Sequence, residues 1–245
     1  MATSPHYSKA PITEAIIDLR VTLPQGAAVA QLDRCGAEQE QAYPNKKKLN
    51  LSYGQMELGE RLSTSASTQH LGFIYSSADN KQVFQVRMDG FAMSRLAPYD
   101  CWQSFRDEAH RLWNIYREVA TPVKVERLAV RYVNRLDLPL PVPEMKDYLR
   151  TVPEVSPDLH QGLAGFFMQL NIPQEDIHST LLLNETVIEP SGPDIVSIVL
   201  DIDLFRTAGL PLDEEGVWGF FEVLHVRKNQ IFEACITDRT RELIR

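Results

Sequence analysis

Two hydrophobic periodicities take turns along the chain, one of about two residues and one of three to four. ITEAIIDLRV (Ile12–Val21) alternates imperfectly and is rich in isoleucine, which predicts a strand. AVAQLDRCGAEQEQAY (Ala28–Tyr43) carries helix formers and few β-branched residues, so it predicts a helix. Three strand-like runs follow, Leu49–Leu58, Thr68–Ser77 and Gln82–Leu96, and the turn residues SADNK between the last two predict a hairpin. In the third run Phe84, Val86 and Met88 share one face and Gln85, Arg87 and Asp89 the other, with Gly90 expected at a bulge.

The pattern then changes period. Between Pro98 and Ala120, residues Trp102, Phe105, Ala109, Leu112, Trp113, Tyr116 and Val119 recur at intervals of three and four. They form a broad apolar face opposite Arg106, Asp107, Arg111 and Arg117. Asp100 and Gln103 approximate a capping box at its start. Beyond the stiff connector LPLPVPE, the chain predicts a short helix at MKDYLRTV. Strands at Gly162–Pro173, Ser179–Glu189 and Asp194–Phe205 come next, then a long helix from about Glu214 to Phe232 and a short one near Asp238–Ile244. Aligning Trp102 with Trp218 superposes Phe105 on Phe221, Arg111 on Arg227, Ile115 on Ile231 and Tyr116 on Phe232. The expected fold is therefore α+β: two pseudo-equivalent halves, residues 1–138 and 139–245, each an antiparallel sheet with a long amphipathic helix packed across it.

RLAVRYVNRLDLP (Arg127–Pro139) sets three arginines four residues apart. As a strand it places Leu128, Val130, Tyr132, Asn134 and Leu136 on one face, and Arg127, Ala129, Arg131, Val133 and Arg135 on the other. A helix would scatter the apolar set, so the strand is preferred. Arg127, Arg131 and Arg135, with Asn134, are candidate binding residues for an extended anionic surface. Equally, the arginines can be a structural stripe paired with Asp18, Asp89, Glu126 or acids of neighbouring strands.

Composition narrows the chemistry. A net charge of −8 over 245 residues argues against a non-specific nucleic-acid binder. Cys35, Cys101 and Cys235 are far apart, which excludes a zinc knuckle or dithiol motif and fits a reducing compartment. The cysteines fall where apolar residues belong. The N-terminal stretch lacks signal-peptide features and no run approaches a membrane span, so the expectation is a cytoplasmic protein. Nucleotide-binding loops, nucleophile elbows and metalloprotease motifs are missing. No metal and no cofactor is expected. Asp201 and Asp203 share a strand face, as a divalent-metal pair or as a solvated surface. Glu222, His225 and Asn229 form a polar stripe on the last long helix, and Glu222 with His225 is a conceivable acid–base pair in a cleft between the halves.

Four segments, PITEAIIDLRV, LAPYDCW, RYVNRLDLP and LHVRKNQIFEACITD, together resemble the signature segments of a sporadically distributed family of mostly uncharacterised prokaryotic proteins of about this length. The resemblance spans nearly the whole chain and implies no activity, cofactor or catalytic residue. It rests on Pro11, Glu14, Pro98, Tyr99, Trp102, Arg131, Asn134, Arg135, His225, Asn229, Phe232, Thr237 and Asp238. Such a distribution implies horizontally exchanged genes, including toxin-neutralising or defence modules. The expected function is a non-enzymatic cytoplasmic module that binds a protein partner encoded nearby, with homo-oligomer formation open. The alternative is a small-ligand-binding protein or enzyme that uses the cleft between the halves.

Overall fold

The computed structural model describes residues 7–58, 62–156, 158–159, 163–211 and 213–245, with the side chains of all of these except 53–58 and 62–66. Gly162, the first residue of one strand expected above, lies outside the described residues. Among the described residues the chain forms one nine-stranded antiparallel sheet with its long helices on one face. The strands are β1 (Ile12–Thr22), β2 (Asn45–Leu58), β3 (Leu62–Ser76), β4 (Gln82–Arg87), β5 (Gly90–Leu96), β6 (Lys124–Pro139), β7 (Phe167–Gln174), β8 (Ser179–Ile188) and β9 (Ile195–Arg206). Their order across the sheet is β2-β3-β4-β5-β1-β6-β9-β8-β7. The helices are α1 (Trp102–Ala120), α2 (Glu214–Cys235) and α3 (Asp238–Ile244). None is long and apolar enough to cross a membrane.

The period-two residues of the central strands build the core. Ile17 and Leu19 of β1 pair with Val130 and Leu128 of β6, which pair with Leu204 and Arg206 of β9. Tyr132 pairs in the same way with Ala15 and Ile202. The apolar members of this belt are 0% exposed. The helices cover this face with the predicted stripes. Phe91 of β5 packs on Trp113 and Tyr116 of α1, and Lys228 of α2 sits over the Tyr132 ring. Burying that belt and both aromatic stripes together is the main favourable contribution to folding.

Several expectations need correction. Gln82–Leu96 is two strands joined by a two-residue turn at Met88–Asp89, and Gly90 follows the turn with φ +153°. A Cβ there would meet the Leu19 carbonyl oxygen at 2.1 Å, so the glycine admits β1 rather than forming a bulge. The predicted helix at Ala28–Tyr43 is a 3-10 turn over Val29–Gly36 that continues as turns. MKDYLRTV forms only a 3-10 turn at Met145–Asp147. Both stretches dock into the core as short turns, through Leu32 and Cys35 in the first and through Tyr148 and Leu149, which bridges to Ile236, in the second. Cys101, not Asp100, caps α1; no side-chain cap bond forms there, and the thiol is exposed rather than core-like.

Candidate functional site

The face of the sheet away from the helices carries the arginines, and each finds a carboxylate. Arg127 donates to Asp18 Oδ1 at 2.9 Å and to both oxygens of Asp203 at 2.9 and 2.8 Å, with its guanidinium 4.5 Å over the Phe205 ring. Arg131 forks onto Asp201 at 2.8 and 2.7 Å, although Asp203 is its partner in register. Arg135 reaches Asp137 at 3.0 Å and Ser197 at 3.1 Å. Asp18 also accepts from Arg87 at 2.7 Å and Arg20 at 3.3 Å. The result is an ionic lattice across β4, β1, β6 and β9. Ala92 and Ala129, beneath it, are 4% and 1% exposed. The arginine stems and their partners thus cover this sheet face in place of a second helical layer. Asp201 and Asp203 are committed to arginines, and among the described residues no group of three or more His, Cys, Asp or Glu is arranged to hold a metal ion.

Asn134 belongs to the other face. It is 2% exposed and donates to the carbonyls of Tyr132 at 3.2 Å and Leu200 at 3.0 Å. It lies at the floor of a cleft of about 910 Å³ between the start of α1, the middle of α2 and the N-terminal segment Tyr7–Ile12. Pro11, Pro98, Tyr99, Trp102, His225, Asn229 and Phe232 line it too, so residues from all four segments quoted for the resemblance meet here. Helix α1 opens into this cleft without a side-chain cap and without an acid in its first turn. By contrast α2 is capped by Asp213 and begins with Glu214 and Glu215.

Lys228 is the decisive group, and it was not singled out from the sequence. It is 6% exposed, stands 3.7 Å over the Tyr132 ring, and donates to Asn229 Oδ1 at 2.5 Å. Among the described residues it has no carboxylate partner. Burial lowers its ammonium to about 7. An ammonium can only donate, so the Asn229 oxygen faces Lys228 and its amide nitrogen faces His225 Nε2, 3.3 Å away. Nε2 must then accept, which puts the imidazole proton on Nδ1, a buried atom with no partner. Burial, reinforced by Lys228, pushes His225 down to about 3, so the ring is neutral.

Glu222 makes no hydrogen bond to His225, the partner it would have in the conceivable acid–base pair. Glu222 accepts from the Trp102 indole at 2.9 Å and pairs with Arg106. It acts on the cleft through Trp102, whose ring stacks on His225 with centroids 4.4 Å apart and planes 6° from parallel. A matching stack joins Trp218 of α2 to His110 of α1, again at 4.4 Å. The Cys35 and Cys235 thiols are pushed up to about 12 by burial, which leaves them inert at neutral pH. The site therefore offers open donors and flat aromatic walls, and it holds no activated nucleophile among the groups described. The chain matches no protein-family model, and a search of curated proteins finds no significant relative.

Proposed function

We propose that the protein binds a small ligand in the cleft between two pseudo-equivalent halves. One observation carries this reading: Lys228, a nearly fully buried cation with no carboxylate partner among the described residues, lines a cleft large enough for a small molecule. Buried charges are normally paired, so a cation left with an amide and a ring face is poised for a partner that arrives from outside. The strand order supports such halves with the boundary before β6 rather than after residue 138. In each, the first strand (β1 or β6) pairs with the last strand of a meander (β5 or β9), and the long helix follows at once. The reciprocal Trp102–His225 and Trp218–His110 stacks support the same relation between α1 and α2. Screening a fragment library by NMR, with the Trp102 indole N–H as reporter, tests the site. Ligand-induced shifts confined to other surfaces would remove it.

A second reading keeps the protein-interaction module. It is favoured by β7, a sheet edge on which Phe167 is 70% exposed. Phe167→Ser should abolish partner capture without lowering the melting temperature; unchanged capture would count against it.

A further inference from the structure

We infer that the ligand of the cleft is a monocarboxylate on a flat, unsaturated body, an inference that rests on the cleft being the binding site. The charge count decides the head group. Four ionisable groups of ordinary charge line the cleft: Lys9, Lys228, Asp100 and Glu233. Lys9 and Asp100 are exposed, and Glu233 already accepts from Tyr7 at 2.6 Å and Arg241 at 2.8 Å. Lys228 alone is buried and lacks a counter-charge among the described residues. One buried cation neutralises one negative charge. A phosphate dianion would leave a second charge in an apolar site that also faces Asp100 and Glu233, an expensive arrangement.

The hydrogen-bond inventory agrees. The chain from Lys228 through Asn229 to His225 uses the Asn229 oxygen and the His225 Nε2 lone pair as acceptors. What remains unused is donor capacity in the other Lys228 N–H groups; the His225 Nδ1–H is buried and likewise without a partner. The uncapped start of α1 adds donors of the same sign. A carboxylate, which only accepts, suits such a site; an ammonium, which only donates, does not.

The walls decide the body. The half-buried Tyr99 and the largely buried Trp102 and Phe232 line the cleft, with the Trp102 ring held by Glu222 on its polar edge and covered by His225 on one face. Rigid ring faces accept another flat π-system at little entropic cost.

The test is calorimetry on the full chain with three probes of one shape: 2-naphthoate, the neutral 2-naphthamide and 2-naphthyl phosphate. The expected result is that naphthoate binds at least about tenfold more tightly than naphthamide. Lys228→Met should bring the two to equality. At pH 8 naphthoate binding should take up a proton in the parent chain and none in the variant, seen by repeating the titration in buffers of different ionisation enthalpy. Equal affinity of the parent chain for naphthoate and naphthamide would overturn the carboxylate inference while leaving the cleft as the site. Tighter binding of the phosphate ester would overturn it in favour of a dianion. If none of the three binds, the cleft reading falls with it.

Discussion

Replacing Lys228 with methionine should make the free protein more stable at pH 7. Burial lowers the ammonium from its ordinary 10.5 to about 7, so its charged form is disfavoured in the fold by on the order of 4–5 kcal/mol. The Tyr132 ring, 3.7 Å away, offsets about 2 kcal/mol of that. The remainder, on the order of 2–3 kcal/mol, is the expected gain from an unbranched apolar side chain at this position. Between pH 7 and 10.5 the unfolded chain holds the Lys228 proton and the folded chain does not. Parent stability therefore rises with pH across that window, and below pH 7 the cost stays constant. The variant lacks this slope, so its advantage should fade by about pH 10. Urea unfolding followed by tryptophan fluorescence at pH 6, 7, 8.5 and 10 reads both quantities. A variant that unfolds before the parent at pH 7, or two proteins with the same pH slope, would refute the buried, unpaired cation.

Three further outcomes follow from the core and the ionic lattice. Glu185 on β8 is fully buried with both oxygens unpartnered, and burial pushes it up to about 7. The fold then binds the extra proton between pH 4.5 and 7, so stability falls as pH rises through that window. Glu185→Gln should be neutral near pH 4.5 and stabilise by up to about 3 kcal/mol at pH 8, measured by urea midpoints; a destabilised variant at pH 8 would contradict this. Asp18→Ala leaves Arg87 with Asp89 alone and Arg127 with Asp203 alone, and should cost on the order of 1–3 kcal/mol. A melting temperature within a degree of the parent would instead favour the arginines as a free binding surface. Trp113→Ala, at a site 4% exposed against Phe91 and Tyr116, should cost about 3–5 kcal/mol in the same assay.

The alternation in β6 and the stripe in α1 were legible because their periods are local properties. Leu128, Val130 and Tyr132 must face the core together once the segment is a strand, whatever it pairs with. The same holds for Trp102, Phe105, Ala109 and Leu112 on a helix. Even Lys228 left a mark: it stands four residues after Leu224 and three before Ile231, both buried, so a lysine interrupts the apolar stripe of α2. What that lysine meets is not a local property. The partner of Arg131 is Asp201, the diagonal neighbour, and that choice exists only after β9 has paired with β6. The cleft likewise needs Asn134, Trp102 and His225 to be brought together from β6, α1 and α2. Residue spacing determined which faces would be apolar, because periodicity acts within one element. Tertiary structure decided which charges would be paired and that the Lys228 cation would be buried without a carboxylate among the described residues, because strand order and helix docking set distances between residues far apart in the chain.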